Sequence, residues 1–324
     1  MFITNPHPSI RPTGRWHTEN SSITATANGS YFEIACEGEM IVLHFDMKDH
    51  VEPRPQLWIS ADGGPRVLSE VTPFLRLQFA DAGRHEIRVV IKSTKEMANR
   101  WYAPLQSKVC FKGYDAEAPA ELTPDERKII EFVGDSITEG VLVDDGYIYY
   151  DDELENRPYV DDSCGTYAWQ TAENLNLRPI ICGYGAVGTL RTGCGSVPPV
   201  GTSYPYCFDG APIEYGHPDY VVINHSTNDQ SWSGEEVEEK YLDLLRVISA
   251  THPDAKIFAM TPFLGCFDGA IRNAVARFAK LGRNEIRHIS TKGWIPREPT
   301  HPNREGHRLA SKRLTEVLGE FIHG

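Results

Sequence analysis

Residues 128–138 read Lys128-Ile129-Ile130-Glu131-Phe132-Val133-Gly134-Asp135-Ser136-Ile137-Thr138, a short apolar run that ends in Gly-Asp-Ser. A run of this length closed by a turn signal predicts a buried strand, with a serine just past its carboxyl end. Four more apolar runs follow, at 179–182, 220–224, 256–260 and 285–289, and amphipathic stretches lie near 167–175, 235–250, 270–281 and 305–321. In the second stretch Val237, Tyr241, Leu244, Leu245 and Ile248 recur at helical spacing, which gives one buried stripe and a charged outer face. Strand and helix alternating in this way predict an α/β unit with a five-stranded parallel sheet covered on both faces. Ligands of such sheets bind outside the carboxyl ends of the strands.

Upstream the rhythm differs. From about 31 to 111 apolar residues alternate with polar ones: Phe32 and Ile34; Ile41, Leu43 and Phe45; Leu57 and Ile59; Leu75, Leu77 and Phe79; Ile87, Val89 and Ile91. Period two means strands with one buried face, and the turn signals at 61–65 and 81–83 separate them as in a β-sandwich. Trp58 is expected in the core of that sandwich. Residues 114–126 are acidic, carry two prolines and lack large aliphatic clusters, which suits a connection between folding units. The expected division is a β-sandwich over 1–118 and an α/β unit over 119–324.

The chain of 324 residues has a formal charge of -13. Without clustered Lys and Arg it has no electrostatic attraction for nucleic acid or for anionic membrane surfaces, and neither is an expected partner. No apolar run approaches the roughly 18 residues a membrane helix needs. Residues 1–16 lack the apolar core of an export signal. The seven cysteines include no CxxC pair, so they read as reduced thiols of a cytoplasmic protein without a structural zinc.

At the proposed strand ends stand Gly134-Asp135-Ser136-Ile137-Thr138, then Gly183-Tyr184-Gly185-Ala186-Val187-Gly188-Thr189, then Ser226-Thr227-Asn228-Asp229, and finally Glu298-Pro299-Thr300-His301-Pro302. A hydroxyl, a backbone donor, a side-chain amide and an imidazole converging on one edge are the parts that acyl transfer needs. In order and spacing these segments resemble the conserved blocks of the SGNH (GDSL) hydrolase superfamily: GDS, a lone Gly, GxND and DxxH. The resemblance implies a flavodoxin-like domain with Ser136 as nucleophile and His301 as general base. It also implies an oxyanion hole made by the Ser136 N–H, the Gly188 N–H and the Asn228 amide. Two positions depart from the pattern. Ser226 replaces the glycine of the third block, and Glu298 replaces the aspartate three residues before the histidine, which leaves a Ser-His-Glu triad and a Ser-His dyad both open.

The sandwich ahead of such a domain resembles the architecture of carbohydrate esterase family 2, whose opening and closing strands are similar to Arg11-Pro12-Thr13-Gly14-Arg15-Trp16 and Phe111-Lys112-Gly113-Tyr114. This implies a jelly-roll-like N-terminal domain and removal of O-acetyl groups from saccharides without metal or organic cofactor. The partner expected is an acetylated oligosaccharide or other small ester. Two competing readings are a lipase- or thioesterase-like acyl hydrolase and a non-catalytic carbohydrate-binding protein. Trp232 and Trp294 are candidate substrate-binding residues. His225 and His307 receive no role, and His217, His225 and His301 match no standard zinc ligand spacing. His301 is expected to open the last helix with Pro302 in its first turn. The acidic, tyrosine-rich stretch 144–162 is expected to be solvated surface.

Overall fold

The computed structural model describes residues 1–144 and 157–322. Two antiparallel six-stranded sheets form the N-terminal part. One runs His17–Glu19, Ser22–Ala25, Val109–Asp115, Met40–Phe45, Phe74–Gln78, with Phe2–Ile3 also on Val109–Asp115. The other runs Ala118–Pro119, Tyr31–Glu37, Arg84–Ser93, Gln56–Ala61, Val67–Glu70, with Ile10–Thr13 also on Tyr31–Glu37. The residues with period-two spacing meet between the sheets: Phe32, Ile34, Ile41, Leu43, Leu57, Ile59, Ile87, Val89 and Phe111 share one buried cluster. Trp58 is not in that core. Because Leu57 and Ile59 point inward, the pleat turns Trp58 to the opposite face, where it packs against the second unit and its indole N–H donates to Asp162 Oδ1 at 2.9 Å.

The second unit contains five parallel strands, β1 (Ile129–Gly134), β2 (Arg178–Gly183), β3 (Tyr220–Asn224), β4 (Lys256–Met260) and β5 (Ile286–Ile289), in the spatial order 2-1-3-4-5. The helices that frame the sheet and the site are α1 (Ser136–Glu139), α2 (Tyr167–Asn174), α3 (Gly234–Thr251), α4 (Asp268–Ala279) and α5 (Arg304–Ile322), and single turns of helix stand at Arg157–Val160 and Val200–Ser203. On one face Val133, Val221, Ile223 and Ile257 pack against α3 and α4; on the other, Ile130, Phe132, Val222 and Phe258 pack against α2 and α5. Helix α3 starts at a capping box, Ser233 with Glu236, and buries the predicted stripe. The order reverses between β1 and β3, so the crevice for ligands opens at their carboxyl ends. Among the described residues no helix is long and apolar enough to cross a membrane.

The two units share buried polar contacts. Arg15 of the sandwich reaches Glu131 of β1 at 2.5 Å and the Tyr204 carbonyl. Lys92 donates to the carbonyls of Pro158 (3.2 Å), Tyr159 (3.1 Å) and Asp161. A buried ammonium with three carbonyl acceptors is satisfied without a counter-ion, so this contact fixes the chain that returns to the site from residue 157 onward.

Candidate active site

Strand β1 ends at Gly134, where an added Cβ would collide with the Thr138 hydroxyl and crowd the Asn224 carbonyl. Only glycine permits so tight a turn into α1. Asp135 caps that helix, its Oδ1 accepting the Ile137 N–H at 3.1 Å. Ser136 is therefore the first helical residue, and its own N–H has no acceptor within the helix. Its Oγ lies 2.8 Å from Nε2 of His301. The histidine sits in the loop ahead of α5 and not at the opening of the helix. Asn303 Oδ1 accepts the Gly306 N–H at 3.0 Å and takes the capping position, leaving His301 and Pro302 outside. Burial lowers the His301 pKa to about 4, with Glu96 acting to raise it and Arg157 to lower it further. At neutral pH the ring is uncharged and Nε2 can accept the serine proton.

Asn228 lies in a single helical turn just past β3, and its amide donates to the Val187 carbonyl at 3.1 Å, leaving the second amide hydrogen for a ligand. Asp229 holds the neighbouring loop: its carboxylate accepts the Thr189 N–H and hydroxyl at 2.8 Å each and the Leu190 N–H at 3.1 Å. The same carboxylate rests on Gly188, where any Cβ would overlap it. The structure qualifies one expected role. The Gly188 N–H already donates to the Arg191 carbonyl at 2.9 Å, so in this conformation it is not a ready oxyanion donor and could become one only by sharing or releasing that bond. Ser226 stands at φ +89°, a left-handed conformation that explains why a glycine suits this place.

Several residues that sequence reading passed over support the site. Arg100, from the sandwich, pairs with Glu139 at the end of α1 and donates to Thr94 Oγ1 at 2.9 Å. Glu96 pairs with Arg157 and abuts Gly185 in the loop after β2, where a side chain would overlap its carboxylate. All four of these charged residues are buried. Their only sequence signal was Glu139 itself, a lone charge ahead of the apolar run Val141-Leu142-Val143. Asp161 and Asp162 are buried as well, which corrects their reading as solvated surface: Asp161 accepts the Leu142 N–H at 2.8 Å, and Asp162 binds Arg304 at 2.9 Å. Most of that acidic stretch, 145–156, lies outside the described residues.

Glu298 is exposed on the rim of a cavity formed with Ile295, Pro296, Pro302 and Asn303, and no hydrogen bond joins its carboxylate to His301. Trp232 is half-buried in the turn that carries Asn228, its backbone N–H donating to the Asp229 carbonyl at 2.9 Å. Trp294 packs partly against the core beneath α2 and α5. His225 and His307 are fully buried and neutral, burial lowering their pKa values to about 4 and about 3. His307 Nδ1 accepts the Tyr167 N–H at 3.0 Å. His217 lies ahead of β3, beside His252, at the end of the sheet opposite His225.

A doubly wound α/β unit with a hydroxyl and a neutral imidazole in contact at its carboxyl edge has the parts of an acyl hydrolase. Residues 132–309, more than half of the chain, match the GDSL-like lipase/acylhydrolase family, and the chain belongs to that family. No curated protein matches it in sequence. Among solved structures it is similar to an acetyl xylan esterase from Butyrivibrio proteoclasticus (18% identity, 100% of this chain and 98% of that one, TM-score 0.79). It is also similar to family two carbohydrate esterases from Cellvibrio japonicus (17%, 99% and 97%, TM-score 0.78) and from Clostridium thermocellum, the latter in complex with cellohexaose (22%, 97% and 99%, TM-score 0.75). At these identities the likeness shows a shared fold across both units.

Proposed function

We propose that the protein is a serine esterase that removes O-acetyl groups from carbohydrates. The observation that carries this reading is the 2.8 Å contact between Ser136 Oγ and a half-buried, uncharged His301. The Ser136 hydroxyl gives its proton to His301 Nε2 as Oγ attacks the acetyl carbonyl. The resulting oxyanion is met by the Ser136 N–H and the Asn228 amide, with Gly188 as a third donor if its turn opens. Collapse returns the proton from His301 to the departing sugar hydroxyl and leaves an acetyl-serine. Water then attacks, with His301 again accepting a proton, and acetate leaves. Glu298 stays a candidate third member, with its carboxylate exposed. Trp232 and Trp294 are the proposed sugar-facing aromatics. The whole-chain likeness to carbohydrate esterases supports the substrate class.

The test is acetate release from acetylated xylo- and manno-oligosaccharides and from p-nitrophenyl acetate, by wild type and Ser136→Ala in parallel. Release by wild type alone is expected. Equal release by both proteins removes Ser136 from the mechanism, and a preference for p-nitrophenyl esters longer than acetyl overturns the carbohydrate reading.

A further inference from the structure

A cavity of about 660 Å³ opens at the carboxyl ends of β4 and β5, on the sheet edge that carries Ser136, and Phe263, Asp268, Arg272, Lys292, Ile295 and Arg297 line it. Its volume lies within the range of small-ligand sites. Its charge runs against the rest of the molecule, with three cations and one carboxylate in a chain of net charge -13. The single carboxylate is engaged: Asp268 accepts Arg272 Nε at 2.8 Å and the Thr261 hydroxyl at 2.5 Å. Lys292 and Arg297 are exposed, and no carboxylate among the described residues pairs with either. Two cations are thus left facing one cavity.

The cavity shares a wall with the catalytic cleft. Arg297 leans on Gly265, its Nη2 3.3 Å from where a Cβ would stand. The next residue, Cys266, sends its thiol to the Ser226 carbonyl at 3.8 Å, on the turn that carries Asn228. Gly265 and Cys266 therefore connect Arg297 to the turn that carries Asn228, and Arg297 itself belongs to the loop that presents His301. On the esterase reading, a substrate that spans this wall would place one group here and its ester at Ser136.

We propose that this cavity is a subsite for a carboxylate-bearing sugar next to the acetylated one, so that the enzyme selects acidic, uronate-containing saccharides. The inference rests on the esterase reading above. Arg297 offers the planar fork that matches a carboxylate in two-point fashion, Lys292 supplies a second charge, and Phe263 and Ile295 give the ring an apolar face.

The test compares acetylated xylo-oligosaccharides of equal length with and without a glucuronic acid branch, using wild type, Lys292→Gln, Arg297→Gln and the double variant. The quantity read is the acidic-to-neutral ratio of kcat/KM. Wild type should favour the acidic substrate, each substitution should lower the ratio roughly tenfold as a charge-assisted hydrogen bond is lost, and 0.5 M salt should erase the preference. A wild-type ratio near one, or a ratio unchanged in the double variant, overturns the subsite. If wild type releases acetate from neither substrate, the esterase reading fails instead. The subsite is then decided by calorimetry of the deacetylated oligosaccharides on Ser136→Ala: acidic-only binding that the double variant loses supports it, and equal binding of both sugars overturns it.

Discussion

Asn228→Ala separates catalysis from structure at the point where the two are easiest to confuse. With the Gly188 N–H committed to Arg191 at 2.9 Å, the proposed mechanism leaves Asn228 as one of two donors to meet the oxyanion. Removing one such donor costs about 2.7 to 4 kcal/mol in the transition state, a fall of 10² to 10³ in kcat. The structural loss is much smaller. The side chain makes one neutral hydrogen bond, to Val187 at 3.1 Å, and such a bond contributes about 1 kcal/mol. In a chain of this size that moves Tm by only about 2–4 °C. Initial rates on p-nitrophenyl acetate together with thermal melts should therefore show a large fall in kcat, a KM within about twofold, and a nearly unchanged melt. Turnover within tenfold of wild type at an unchanged Tm would remove Asn228 from the oxyanion site. A collapse of Tm would make its role structural.

Burial holds His301 at about 4. The basic form is lost only as pH falls through that value, so kcat/KM should stay level down to about pH 5 with its midpoint near 4; a midpoint at 6–7 would contradict the desolvated, neutral imidazole. Ser226→Gly removes a side chain from φ +89° and should raise stability by about 1 kcal/mol in a chemical melt, whereas a loss would mean the Ser226 side chain contributes packing that outweighs its strain. Arg100→Met leaves Glu139 buried without its partner and should destabilise by about 3–5 kcal/mol, with Arg100→Met/Glu139→Met recovering much of it; a single variant as stable as wild type would show that the pair does not hold the units together. Glu298→Ala should cost far less activity than His301→Ala, and equal losses would argue for a full triad.

What the sequence made legible follows from the range of the forces involved. Periodicity is local, so all five parallel strands and helices α2 to α5 lie where alternation and helical spacing put them, and Ser136 and His301 meet because both follow strand ends on one edge. The short strands at His17–Glu19 and Ser22–Ala25 gave too few alternating residues to be read. The state of Gly188 was illegible for a different reason. The block pattern names a residue, but whether its N–H is free depends on a turn closed at Arg191 and clamped by Asp229 from another strand end.

The least legible feature is also the one that most changes the account of the site. Arg100 and Glu139 are 39 residues apart, and Glu96 and Arg157 are 61 apart; each pair crosses from the sandwich to the hydrolase unit, and nothing local in sequence announces it. A buried ion pair adds little net stability over an apolar one but is costly to break, so it acts more as a registration device than as a source of binding. Here one pair ends on the helix that begins with Ser136, and the other ends against the loop that leads to Gly188. A sandwich displaced by an ångström would strand these charges before it exposed much apolar surface. The N-terminal unit is therefore a structural part of the proposed catalytic edge, and mutations at Glu96 and Arg100, in the loop that follows its Arg84–Ser93 strand, should register in kcat even though neither residue is assigned to the chemistry.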